Sequence, residues 1–284
     1  MQQQPIRIVM TDLDGTFIRN VFEPIEENVR AMERCKAAGV PVCAVTARNY
    51  NCAERVFRRA NFTDYVVTNN GSSIQDAKTG ENLWENVIPD AWLRAALELC
   101  VRLNVPFQVH DSYTALHYGP TKSDEESYLD RENRLETDPR FHTVVEDAQD
   151  IDEILTRMNG HTQLIRIKGD GELPSWFYTE LIRCGDFTLT SSQPNPGQME
   201  IMAAGSGKRA GAQQLARLLH IPRENVMACG DHYNDVGMIE WAGIGVAMGN
   251  AQPRVKQLAD YVAPVYTEGG VADAMERFVL AQRA

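Results

Sequence analysis

The chain has 284 residues, of which 24% are charged and 43% hydrophobic, with a formal net charge of -11. That length buries a real core in one large domain or two ordinary ones. The acidic balance excludes nucleic acid and anionic membrane as the main partner, though a local cation can still draw a small anion into one cleft.

Ile6 to Thr11 opens the chain as an apolar, β-branched run, the pattern of a buried parallel strand. It ends in Asp12-Leu13-Asp14-Gly15-Thr16. In open α/β sheets ligands dock beyond the carboxyl ends of strands. In extended chain, residues i and i+2 share a face, so Asp12 and Asp14 are expected to point at one centre. Two such acids are tolerable around a cation, and Mg²⁺ with its preference for carboxylates, water and phosphate suits them. The bland alternative is an Asp-rich turn capping the next element.

Ile25 to Ala38 has helical spacing and stops at Gly39. Pro41 to Thr46 reads as a second buried strand, ending in Thr46-Ala47-Arg48. Tyr50 to Ala60 is helical, and Tyr65 to Thr68 is a third strand ending in Asn69-Asn70-Gly71. This alternation implies parallel strands with right-handed crossovers. Ser73 to Trp84 reads as a hairpin around Lys78-Thr79-Gly80.

From Glu85 to Gly197 the pattern changes. Helices are expected over 90–103, 151–158 and 174–182, and strands over 107–110, 116–118, 164–168 and 187–190. This is an α+β insert of about 110 residues, an ordinary domain size. Gln193-Pro194-Asn195-Pro196-Gly197 suits a linker back. The doubly wound pattern then resumes with a strand at Met199–Met202, a helix over 208–219 and a strand at Val226–Cys229. After Gly230-Asp231-His232-Tyr233-Asn234-Asp235 come a helix over 236–241, a strand over 245–247 and helices over 253–258 and 271–280. The expected organisation is a core over 1–84 and 198–284, interrupted by a cap over 85–197.

No run reaches the roughly 18 apolar residues of a membrane span, and the first residues lack a signal-peptide pattern. The six cysteines are scattered without a Cys-x-x-Cys pair. The expectation is a reducing, cytoplasmic protein without disulfides.

Taken singly, each polar cluster has an ordinary explanation. A lone lysine such as Lys208 is usually solvated, Thr46 could cap a helix, and Asp231 and Asp235 could shape a turn. Gly205-Ser206-Gly207-Lys208 is not a P-loop, since Met202 stands where its first Gly belongs and Arg209 replaces Ser or Thr. Gly243 to Gly249 lacks the spacing of a nucleotide fingerprint.

Taken in order, Asp12-Leu13-Asp14-Gly15-Thr16, Thr46, Lys208 and Gly230-Asp231 with Asn234-Asp235 resemble the four motifs of the haloacid dehalogenase superfamily of phosphatases. Asn70-Gly71, Gly243 to Ala251 and Gly269-Gly270-Val271-Ala272 extend the likeness to its Cof-type branch. That branch carries a type IIB α/β cap where the insert lies. The resemblance implies a Rossmann-like α/β core, a doubly wound parallel sheet with an inserted α+β cap domain. It also implies a Mg²⁺-dependent phosphatase acting through an aspartyl-phosphate. In that scheme Asp12 is the nucleophile and Asp14 the general acid and base. Lys208 supplies positive charge. The metal falls to Asp12, the Asp14 backbone and Asp231, with Asp235 a further ligand or an orienting group. Leu13, Thr46, Ala47, Arg48, Asn70, Lys208 and Asn234 fall to phosphate or substrate. Ala47 stands where the branch often has Gly, but still offers its N–H.

Cap residues His110, Asp111, Tyr113 and His117 cluster around an expected turn and are candidate substrate contacts. The implied partner is a small phosphorylated metabolite, most simply a sugar phosphate, with no nucleic acid or membrane and a monomer or weak homodimer. Alternatives are phosphosugar mutase-like phosphoryl transfer and a non-catalytic phosphometabolite sensor.

Overall fold

The computed structural model describes residues 4–20, 22–120, 145–169, 171–190 and 197–282. In chain order the strands and helices begin with β1 (Ile8–Thr11), α1 (Glu26–Ala37), β2 (Val42–Val45), α2 (Tyr50–Ala60) and β3 (Tyr65–Thr68). The hairpin β4 (Ser73–Asp76) and β5 (Asn82–Glu85) follows. Then come α3 (Asp90–Leu103), β6 (Phe107–His110), β7 (Ala115–Tyr118), β8 (Glu146–Asp147), α4 (Ile151–Met158) and β9 (Leu164–Lys168). Next are α5 (Ser175–Cys184), β10 (Phe187–Thr190), β11 (Gln198–Ala203) and α6 (Lys208–Leu218). The chain closes with β12 (Val226–Gly230), α7 (Val236–Trp241), β13 (Ile244–Ala247), α8 (Pro253–Leu258), β14 (Tyr261–Val262) and α9 (Gly270–Met275).

One sheet has eight strands in the order β14-β13-β12-β1-β2-β3-β4-β5. Its first six are parallel, and the β4–β5 hairpin extends it antiparallel. From β1 the chain builds outward through β2 and β3, then returns to the other side of β1 with β12. The order therefore reverses between β1 and β12, the switch point where such sheets bind ligands. Both faces are covered, as parallel sheets require. Val9, Val42 and Val66 pack with α1, α2 and α9 on one side, while Ile8, Met10, Val45 and Val67 pack with α6 and α7 on the other.

The second sheet has six strands in the order β10-β11-β9-β6-β7-β8, antiparallel except for the β7–β8 pair. Its strands alternate. Phe107, Val109, Leu116, Ile165, Ile167, Met199 and Ile201 pack under α3, α4 and α5. Gln108, His117, Arg166 and Glu200 lie in one cross-strand row, and the period of two puts that row on the other face.

Here the structure corrects one expectation. The strand expected over 199–202 as the start of the second core segment pairs instead with β9 and β10. Residues 199–203 are buried on both faces, so burial fits either sheet, and the antiparallel pairing places the strand in the second. The chain rejoins the first sheet's layers at α6. Of the expected linker, residues 193–196 lie outside the described residues. The short strands β8 and β14 were not expected; at two residues each they carry no readable period.

Candidate active site

Strand β1 ends at Thr11, and the amide of Asp12 donates to the carbonyl of Cys229 on β12 at 2.9 Å. This pins Asp12 at the switch point. Leu13 is fully buried, and its carbonyl accepts from the amides of Thr16, Phe17 and Ile18, so the chain turns sharply there. The two acids take different partners. The Asp12 side chain goes inward at 5% exposure, while the Asp14 carboxylate meets the Arg48 guanidinium, accepting from Nε at 2.9 Å and from Nη2 at 2.5 Å. Asp14 is therefore not among the carboxylates that lie within 4.8 Å of one another, because Arg48 takes up both its oxygens.

Lys208, the first residue of α6, is 2% exposed. Its ammonium donates to Asp12 Oδ1 and to Asp235 Oδ1, each at 2.6 Å. It reaches this depth because α6 starts against the turn after β3. A side chain on Gly71, whose φ is +91°, would strike the carbonyl oxygen of Gly207. Asp235 is fully buried, and its Oδ2 accepts from the amides of Asp231 and His232, both at 3.0 Å. It thus holds the loop after β12 and Lys208 together. Asp231 accepts from Thr16 Oγ1 at 3.0 Å and from Asn250 Nδ2 at 3.2 Å. A Cβ on Gly15, where φ is +73°, would lie 2.7 Å from Asp231 Oδ2, so glycine is needed at this turn.

Asp12, Asp231 and Asp235 offer carboxylate oxygens that all lie within 4.8 Å of one another. Three carboxylates against one ammonium leave a formal charge of −2 in a largely buried space. Burial pushes Asp12 well above the usual carboxylate range, with Asp235, Asp231 and Asp14 adding to it and Lys208 opposing. Burial likewise raises Asp231 to about 6, aided by Asp235. Burial alone would lower Lys208, but Asp12 and Asp235 outweigh it and hold the ammonium charged. A hard divalent cation bound by oxygen donors would neutralise that excess, so the residues fit Mg²⁺.

The remaining expected residues lie in turns joined to one another by hydrogen bonds. Thr46 is buried and its Oγ1 accepts from the Arg48 amide at 3.2 Å. The Asn70 amide donates to the Thr46 carbonyl at 2.9 Å, and Asn234 Nδ2 donates to Asn70 Oδ1 at 3.2 Å. The carbonyl of Ala47 accepts from Arg166 of β9 at 3.3 Å.

The cap cluster turns out mostly structural. Asp111 Oδ1 accepts from the amides of Tyr113 and Thr114, Tyr113 Oη donates to the Gly80 carbonyl, and a His117 ring nitrogen lies 3.0 Å from the Gly119 carbonyl. His110 differs: it is 3% exposed and neither ring nitrogen has a hydrogen-bond partner. Burial drives its pKa well below the usual histidine value, with Arg166 and Lys168 adding to it. A separate groove of about 420 Å³, lined by Gln213, Arg217, His220 and Trp241 among others, holds none of these acids.

Sequence reasoning did not single out Asn250, Arg166 or Glu200 as site residues. Asn250 Nδ2 donates to both the Gly15 carbonyl and Asp231. Glu200 offered one signal, a lone acid inside an apolar strand.

A model of the haloacid dehalogenase-like hydrolase family matches residues 9–275. The 5-amino-6-(5-phospho-D-ribitylamino)uracil phosphatase YcsE of Bacillus subtilis is 27% identical, the match covering 97% of this chain and 96% of that protein. Phosphatase YwpJ of the same organism is 25% identical over 96% of this chain and all of that one. Among solved structures, a haloacid dehalogenase-like hydrolase from B. subtilis superposes with a TM-score of 0.81, 24% identity and coverage of 96% of this chain and 100% of that one. The subclass IIB sugar phosphatase BT4131 shares the fold at a TM-score of 0.75 and 22% identity, covering 96% of this chain and 98% of that one. No helix among the described residues is long and apolar enough to cross a membrane. The switch-point acids, the cap inserted between Thr46 and Lys208 and these matches converge: the chain belongs to the haloacid dehalogenase-like hydrolase family, as a phosphatase of its Cof-type branch.

Proposed function

We propose that the protein hydrolyses phosphate monoesters of small metabolites, sugar phosphates foremost, with Mg²⁺ and through a covalent aspartyl-phosphate. The observation that carries this reading is the buried Asp12–Lys208–Asp235 chain beside Asp231. Phosphate monoesters are extremely slow to hydrolyse, and a protein nucleophile divides the barrier into two smaller ones. An Asp12 carboxylate oxygen attacks phosphorus, and the phosphorus–oxygen bond to the leaving group breaks. Asp14, at the rim of the site, gives its proton to the leaving oxygen. It then takes a proton from water, whose oxygen attacks phosphorus and breaks the bond to Asp12, releasing inorganic phosphate and restoring both acids. Lys208 screens the approach of a carboxylate to a phosphoryl group. Asp12, the Asp14 carbonyl and Asp231 would hold the Mg²⁺, which when bound supplies charge neutralisation of the phosphoryl oxygens. Asp235 has both oxygens engaged by Lys208 and by two backbone amides, so its part is to orient them.

Thr46, with the backbone N–H groups of Leu13 and Ala47, serves the phosphoryl oxygens. Arg48, Asn70 and Asn234 line the approach. His110, with an unpartnered ring on the core-facing side of the cap, is the cap residue best suited to a substrate hydroxyl. The partner is the small phosphorylated metabolite alone, with the chain a monomer or weak homodimer in the cytoplasm.

The test is phosphate release from p-nitrophenyl phosphate with Mg²⁺, then from a panel of phosphorylated metabolites. Turnover that needs Mg²⁺ and disappears in Asp12→Asn supports the reading. An Asp12→Asn variant as active as the parent overturns it.

A further inference from the structure

Glu200 stands in the middle of β11, among Met, Ile and Ala, and is 2% exposed. A carboxylate occupies such a place only where its charge is answered. Its Oε1 accepts from Arg166 Nε at 3.1 Å and from Nη2 at 2.9 Å, both within the cap sheet. Its Oε2 turns to the core and accepts from Asn70 Nδ2 at 2.9 Å. Arg166 crosses the same boundary to the Ala47 carbonyl at 3.3 Å. Asn70 is itself a junction. It sits at a φ of 55° beside Asn69 at 46°, two left-handed residues in succession that only their surroundings can hold. Its amide donates to the Thr46 carbonyl and its Oδ1 accepts from Asn234. One buried cap carboxylate is thereby tied to the turns after β2, β3 and β12.

We infer that Glu200 is a positioning residue: acting through Asn70, and with Arg166 on Ala47, it holds the three substrate-facing turns in register when the cap is down. The inference rests on the phosphatase reading above. It goes beyond that reading in making cap closure a condition for the geometry of the core turns. If Glu200 only balanced Arg166, its second oxygen would have no reason to reach the core. Because a lost hydrogen bond to a buried charge is costly, the core turns feel whether the cap is seated.

The deciding variant is Glu200→Asp. It keeps the charge beside Arg166 but withdraws the carboxylate from Asn70 by one methylene. In hydrogen exchange on the full chain without substrate, the amides of Asn69 and Asn70 should exchange about tenfold faster than in the parent, with β13 unchanged. With Mg²⁺ and p-nitrophenyl phosphate, kcat/KM should fall about tenfold to a hundredfold, the range for one hydrogen bond to a charged group, and the fall should lie in kcat. Asn70→Gly, which suits the left-handed backbone, should cost as much alone as together with Glu200→Asp. Unchanged exchange at Asn69 and Asn70, or losses that multiply in the double variant, would overturn the inference. If Glu200→Asp does not fold, Glu200→Gln, which sets an amide N–H against one of the two donors, carries the same two expectations. A parent inactive on every phosphomonoester would defeat the phosphatase reading instead, and the exchange measurement alone would then decide the role of Glu200.

Discussion

In the first sheet, strands β1, β2 and β12 are buried along their whole length, and their charged residues lie past their carboxyl ends. In the second sheet, polar residues are spread along the strands, one row of them crossing from His117 through Gln108 and Arg166 to Glu200. The first arrangement concentrates charge at one point, where Asp12, Asp231 and Asp235 strain against one ammonium. The second lays a polar surface over that point without a comparable charge cluster among the described residues. The proposed function places chemistry at the strand ends and recognition on the strand face. The two should respond differently to substitution, to metal and to pH.

The sharpest break between them is at the proposed nucleophile, Asp12. Asp12→Asn preserves shape but removes the attacking oxygen, and kcat should fall by at least ~10⁴-fold, as when other covalent nucleophiles are removed. No single cap substitution should approach that in phosphate-release assays with p-nitrophenyl phosphate.

Next is the buried ion pair. Lys208→Met strands Asp12 and Asp235 without their cation, and breaking such a pair costs about 3–5 kcal/mol. Thermal unfolding without metal should show this as a large drop in Tm. Saturating Mg²⁺ should return part of it, because the excess negative charge is then answered another way. In the parent, Mg²⁺ should raise Tm near neutral pH and do so less toward pH 5, where protons occupy Asp231, whose pKa burial has raised to about 6. Equal Mg²⁺ stabilisation at both pH values would separate the acids from the metal.

The cap has its own pH response, with the same main cause, burial, but the pKa moved the other way. His110 is buried, and Arg166 and Lys168 oppose its charging, so its folded pKa lies well below the unfolded one near 6.5. The unfolded chain takes up the proton first. Stability is thus whole above about pH 6.5 and falls by up to ~1.4 kcal/mol per pH unit below it. His110→Asn should flatten that slope in urea titrations at pH 5 to 7. An unchanged slope would place the acid sensitivity in the core instead.

The same contrast explains what could be read from the chain. The apolar runs before Asp12, Thr46 and Gly230 announced both a strand and a site, because two-sided burial leaves polar residues nowhere else to go. Helices such as α3 and strands such as β9 were legible from period alone. Gln198–Ala203 was not, because six residues following a Pro/Gly-rich stretch fit either sheet, and only its pairing with β9 decides. The pairing of Asp14 with Arg48 was hidden because it joins residues 34 positions apart. Glu200 was invisible as a partner of Asn70, and Arg166 as a partner of Ala47, since those contacts join residues 130 and 119 positions apart.

The smallest expected effect tests where the boundary between the two regions lies. Arg48 sits past β2 in the core, yet its guanidinium faces the half-exposed Asp14 and the Phe22 ring rather than the buried cluster. An ion pair with one partner this exposed contributes at most about 1 kcal/mol to stability, so Arg48→Ala should scarcely move Tm. Its catalytic cost should be larger in proportion. In the proposed mechanism Asp14 presents a proton to the leaving oxygen, and Arg48 fixes the direction of both its carboxylate oxygens. A severalfold fall in kcat/KM is expected, greatest for substrates with poor leaving groups, which depend most on proton donation. For p-nitrophenyl phosphate, whose leaving oxygen needs little protonation, the fall should nearly vanish. A loss equal for both substrate types would assign Arg48 to binding the phosphoryl group and leave the orientation of Asp14 to the turn that carries it.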